Sequence, residues 1–84
     1  MNKIRRDIDK IDEKIFKLLK QRLSKAKKIG QLKKYMKVKV NDDEREKEIL
    51  GKLNTDEYKY YEHPMTEIYK EIFKQMKDLE DGED

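Results

Sequence analysis

Cysteine is absent from the 84 residues, which excludes a disulfide framework and any thiolate metal site. No apolar run approaches the roughly 20 residues that a membrane-spanning helix needs. No signal-peptide-like apolar segment stands at the N-terminus either, so the cytoplasm is the expected compartment and no membrane partner is expected. Core-forming side chains are scarce: Ile, Leu, Val and Phe together make 19 of 84 residues, near the level at which chains stay disordered. Their strictly helical spacing argues against disorder. Helix breakers are scarce as well. Pro64 is the only proline, and Gly30 is the only glycine before Gly51. The only histidine, His63, adjoins Pro64 in a polar connection and reads as a loop residue.

Charge is what the chain has in quantity, at 49% of residues for a net +3. It is unevenly placed. Residues 1–34 carry thirteen Lys and Arg against four acids, whereas Asp78 to Asp84 carries five acids and no base. A basic surface of this kind attracts anions: nucleic acid, acidic lipid or a small polycarboxylate.

Within the basic third, Ile4, Ile8, Ile11, Ile15, Leu18, Leu19, Leu23, Ala26, Ile29 and Gly30 recur every three or four residues, the spacing of one apolar helical stripe. The pattern predicts a helix over 2–34, about 50 Å long. A compact domain of this size is only roughly 30 Å across. Such a helix projects beyond its own domain, and pairing with a second copy is the economical way to cover its stripe.

Two cations interrupt the stripe. Arg22 stands four residues after Leu18 and Lys33 four after Ile29. They share an azimuth and lie about 16 Å apart along the axis, so their side chains can hold a small anion between them. Arg5 points about 100° away from Arg22 and does not serve that site from the same helix.

Lys37 to Val40 alternates like a strand but has none to pair with, and reads as an extended connector. Asn41 or Asp42 is a good N-cap for a second helix over about 43–53 that buries Ile49, Leu50 and Leu53. Asp42, Arg45, Glu46 and Ile49 fall on one of its faces, an odd set for a core helix. Asn54 to His63 has no firm assignment, and Tyr58, Tyr60 and Tyr61 are expected to cover the bundle end. Pro64 suits the first turn of a third helix, over about 64–80, with Met65, Ile68, Tyr69, Ile72, Phe73, Met76 and Leu79 inward and Glu80 beside them. The expected fold is all-α: one domain, a three-helix protomer in an intertwined homodimer. Buried charges are costly unless paired or ligand-bound. Arg22, Lys33, Asp42, Arg45, Glu46 and Glu80 on shared faces therefore suggest a polar cavity for a small anion with more than one carboxylate.

Arg5, Ile11-Asp12-Glu13-Lys14-Ile15, Leu18-Leu19-Lys20-Gln21-Arg22, Ile29-Gly30-Gln31-Leu32-Lys33 and Asp42-Asp43-Glu44-Arg45-Glu46 resemble the all-helical chorismate mutases. The resemblance runs from about Ile4 to Leu50 and resumes more weakly at Met65 to Phe73. It implies two identical sites per dimer and a cofactor-free, metal-free Claisen rearrangement of chorismate to prephenate, a step of the shikimate route to phenylalanine and tyrosine. Catalysis of that kind rests on proximity and electrostatic preorganisation. By resemblance, Arg22 holds one substrate carboxylate and Arg5 of the other protomer holds the second. Lys33 donates to the ether oxygen, and Glu46 accepts from the ring hydroxyl with the backbone near Asp42 assisting. Arg45 orients the carboxylate end of the substrate and this acidic pair.

Two positions depart from the family pattern. Met76 stands where a small polar residue is common, and Glu80 replaces a Gln that bonds the ether oxygen, as in fungal members. An ionised Glu80 repels the growing negative charge, whereas a protonated one donates a hydrogen bond. The rate is then expected to fall as pH rises through the Glu80 titration. A register shift would instead bring Gln75 to that place.

Other readings compete. Arg5, Arg22 and Lys33 taken singly fit solvated or snorkelling side chains, and Glu46 alone fits a helix cap. A nucleic-acid-binding module would use the basic helix, but does not need Asp42, Arg45 and Glu46 on one face, and the acidic tail works against it. A coiled-coil dimerisation module would want clean core positions in place of Arg22 and Lys33. Related bundles acting on isochorismate or aminodeoxychorismate share this site architecture.

Overall fold

The computed structural model describes residues 1–36 and 42–82, with the backbone alone at Asp42. Three α-helices, α1 (Asn2–Met36), α2 (Asp42–Gly51) and α3 (Glu62–Asp81), are joined by one 3-10 turn at Lys59–Tyr61. The chain is all-α, with no strand among the described residues. No helix among them is long and apolar enough to cross a membrane.

α1 runs two residues past the expected end, through Tyr35 and Met36. The strand-like Lys37 to Val40 and the cap at Asn41 lie outside the described residues, as does the side chain of Asp42, whose backbone opens α2. α2 stops at Gly51, short of residue 53. There the N–H groups of Lys52, Leu53 and Asn54 donate to the carbonyls of Ile49, Leu50 and Gly51, each at 3.1 Å. Such three-residue bonds tighten a helix end, and it is this turn that buries Leu53. α3 starts two residues earlier than expected because the 3-10 turn leads straight into it, with Glu62 N–H donating to Lys59 O. Pro64 is then the third helical residue, still within the first turn, where a missing N–H costs no intrahelical bond.

The core lies between α3 and the second half of α1. Contacts run from Arg22 against Tyr69, Phe73 and Met76 to Lys33 against Glu80, so the two helices advance in the same direction along this stretch. Small residues four apart on α1 allow a close approach: Ala26 is 0% exposed and Gly30 is buried. A Cβ at Gly30 would stand 2.6 Å from the carbonyl oxygen of Glu80 and 3.0 Å from its Cα. Both are backbone atoms, which no change of rotamer can move.

Beyond that core the chain is thin, with extents of 51 × 26 × 14 Å. Ile4, Ile8, Ile11, Ile15 and Leu18 of α1 are all exposed. Two expectations need correction. Ile68 is 61% exposed, because α3 turns its Tyr69, Phe73 and Met76 side toward α1 and Ile68 lies off that side. Tyr60 and Tyr61 are also exposed, stacked edge-on against each other with centroids 4.9 Å apart, and only Tyr58 is half-buried.

The Gly30 contact fixes the sign of a substitution. In an open helical site Gly→Ala stabilises by up to about 1 kcal/mol, as expected for Gly51, where an added Cβ would meet nothing within 4 Å. Gly30→Ala forces α1 and α3 apart and is expected to destabilise by about 1–3 kcal/mol. Denaturant unfolding of Gly30→Ala and Gly51→Ala checks this; an unchanged or raised midpoint for Gly30→Ala would refute the close approach.

Candidate functional site

A cleft of about 430 Å³ opens between the three helices, within the size range of small-molecule sites. α1 supplies Arg22, Lys25 and Ile29 to it, α2 supplies Arg45, Glu46 and Ile49, and α3 supplies Phe73, Met76, Lys77 and Glu80. Helical spacing brings them there. Lys25 and Ile29 follow Arg22 by three and seven residues on one side of α1, and Arg45, Glu46 and Ile49 fall within about one turn of α2.

Arg22 is held against α3. Its Nη1 donates to Met76 Sδ at 2.9 Å, and its guanidinium carbon sits 5.4 Å from the Tyr69 ring centroid. No carboxylate pairs with Arg22 among the described residues. Lys33 lies one turn beyond Gly30 and donates from Nζ to Glu80 Oε1 at 2.7 Å. The two side chains are 22% and 8% exposed, so this pair is shielded from water far better than a surface pair and is weakened less by salt. Arg45 reaches Glu48 at 2.9 Å, both side chains being well exposed, an ion pair worth little in water. Glu46 is half-buried on the cleft wall.

Of the residues singled out in the sequence, Arg22, Arg45, Glu46, Met76 and Glu80 thus line one cleft, and Lys33 joins it through Glu80. Arg5 does not. It is exposed on the projecting half of α1, 17 residues and so about 25 Å from Arg22 along the helix. The Asp42 side chain is outside the described residues, and Gln75 is exposed and not on the cleft. Lys25 and Lys77 also line the cleft although the sequence reading passed them over. Their spacing, three residues after Arg22 and three before Glu80, was the available signal, hidden among 22 Lys and Arg.

With Lys33 opposing the Glu80 charge, four cleft cations (Arg22, Lys25, Arg45, Lys77) face one remaining carboxylate, Glu46. The floor is apolar, made of Ile29, Ile49, Phe73 and Met76. A net positive cleft with low-dielectric walls concentrates small anions, and the apolar floor suits the carbon skeleton of one.

Comparison with known proteins accords with this geometry. The bifunctional chorismate mutase/prephenate dehydratase of Aquifex aeolicus (strain VF5) is 35% identical over 85 aligned positions, covering 95% of this chain and 24% of that protein. The chorismate mutase of Methanocaldococcus jannaschii is 44% identical over 50 residues, 60% of this chain and 50% of that protein. The chain therefore spans half or less of the length of these curated relatives. No solved structure matches it. The chorismate mutase type II family matches residues 4–81, a span that holds all three helices and every residue of the cleft. The chain belongs to the chorismate mutase type II family.

Proposed function

We propose that this chain forms one catalytic domain that rearranges chorismate to prephenate. The observation that carries the proposal is Arg22, a guanidinium fixed over an apolar floor with no carboxylate to neutralise it among the described residues. In the reaction the ether C–O bond breaks as a C–C bond forms between the enolpyruvyl carbon and the ring. Substrate and product are isomers, and no group or proton is exchanged with the protein. What a protein can add is a folded substrate conformer and compensation of the charge that separates across the breaking bond.

Arg22 binds one carboxylate bidentately. Lys33 donates to the ether oxygen, where negative charge grows. Glu46, half-buried on the opposite wall, accepts from the ring hydroxyl, assisted by the backbone near Asp42, while Arg45 orients the carboxylate end of the substrate. The second carboxylate is met by Arg5 from a second copy, in a homodimer that pairs the projecting halves of α1. Five large aliphatic side chains are exposed there, each worth about 1.5–3 kcal/mol once buried, and that is what favours pairing. Glu80, bonded to Lys33, stands with it beside the ether oxygen.

Loss of chorismate absorbance with purified protein tests the activity. Arg22→Ala is expected to lower kcat/KM about 100-fold through a lost charge-assisted contact, and Lys33→Ala to lower kcat by about 10²–10³ through lost stabilisation of the ether oxygen. Absence of turnover by the wild type at both pH 5 and pH 7.5 would end the proposal. Glu80 has its own test. An amide at residue 80 donates to the ether oxygen without opposing the negative charge that grows there, so Glu80→Gln is expected to keep or raise kcat. A Glu80→Ala protein with unchanged kcat and KM would remove Glu80 from the mechanism.

A further inference from the structure

The surroundings of Arg22 differ from those of Lys33 and Arg45. Lys33 is bonded to Glu80 and Arg45 to Glu48, but Arg22 has a thioether and two aromatic rings instead. Met76 Sδ accepts from Nη1 at 2.9 Å. The Tyr69 and Phe73 ring centroids lie 5.4 and 6.0 Å from the guanidinium carbon, and the two rings pack against each other at 5.6 Å. Tyr69, Phe73 and Met76 are spaced four and three residues apart, one face of α3.

A carboxylate in that place would fix Arg22 firmly, but it would also neutralise it and compete with an incoming anion. Ring faces and sulfur act differently. The negative face of a ring attracts a guanidinium, and a thioether is a weak acceptor. Neither carries a charge, so the cation is held while its full +1 remains available. Phe73, 9% exposed, is also a core residue, whereas Tyr69 is half-exposed and can be changed with less damage to packing.

We propose that Tyr69 and Met76 are positioning residues that hold the Arg22 guanidinium in the cleft without neutralising it, so that a substrate carboxylate meets a preorganised full charge. This rests on the carboxylate-binding role proposed for Arg22.

Arg22 grips the same carboxylate before and during the rearrangement, so loosening it raises KM and spares kcat. Tyr69→Leu and Met76→Leu are expected to raise KM for chorismate about 5–20-fold with kcat within about twofold. Tyr69→Phe keeps the ring face and restores the wild-type KM. A merely structural role predicts the opposite split, a smaller active fraction with lower kcat and unchanged KM, and that result would overturn the inference. A second measurement does not need turnover. The Nε–Hε NMR peak of Arg22, identified by its loss in Arg22→Lys, is expected to be shifted upfield by ring current, to move toward the exposed-arginine position in Tyr69→Leu, and to stay in Tyr69→Phe. A peak already at the exposed position in the wild type, or unmoved by Tyr69→Leu, overturns the inference whatever the kinetics. Should the peak behave as expected in a protein that does not turn over chorismate, the proposed reaction fails and the positioning of Arg22 stands.

Discussion

The site depends on one contact, the packing of Gly30 against the backbone of Glu80. Without a side chain at residue 30, α1 and α3 meet with only backbone between them at that point. Glu80 is thereby brought within 2.7 Å of Lys33, one turn along α1. One turn before Gly30, Ala26 is fully buried, and a turn earlier Arg22 meets the aromatic rings of α3. α2 then needs only to lean its Arg45, Glu46 and Ile49 face toward α3 to complete a cleft. Packing geometry and electrostatics are therefore one matter here: the helix separation that small residues permit is also what sets the distances between charges.

Charge in the cleft is arranged by unequal pairing. Lys33 and Glu80 satisfy each other in a place that water barely reaches, Arg45 is drawn outward to Glu48, and Arg22 is held by uncharged groups. Arg22 is thus a guanidinium with no carboxylate partner among the described residues, beside an apolar floor where each interaction counts for more than in bulk water. Lys25 and Lys77 add positive potential at the walls. Such a site favours anions in general, and the proposal of chorismate among them leans on the family to which the chain belongs.

Much of this was legible in the sequence because helices turn spacing into position. The apolar stripe of α1, the common azimuth of Arg22 and Lys33, and the shared face of Arg45, Glu46 and Ile49 all follow from 3.6 residues per turn. What spacing could not provide is the identity of the neighbour across a helix pair. That Arg22 would rest on Tyr69, Phe73 and Met76, that Glu80 would be the partner of Lys33, and that Lys25 and Lys77 would face inward all depend on how α1 and α3 are rotated against each other. Ile68 was misread for the same reason: it keeps the period of the inward face but lies beyond its edge. The 3-10 turn at Lys59–Tyr61 has no apolar period to announce it.

The half of α1 that bears Arg5 is the part of the molecule least explained by a single chain. Its isoleucines face water, and its Arg5 stands about 25 Å along the helix from Arg22, in the cleft where the proposed reaction calls for a second cation. A dimer in which each α1 completes the other copy's site accounts for both facts together. Arg5→Ala and Arg22→Ala, each expected to be nearly inactive alone, decide the matter when unfolded together in equal amounts and refolded. Half of the dimers are then mixed, each with one intact site of two, and the account predicts recovery of about one quarter of wild-type activity. A refolded mixture no more active than its separate components would contradict it.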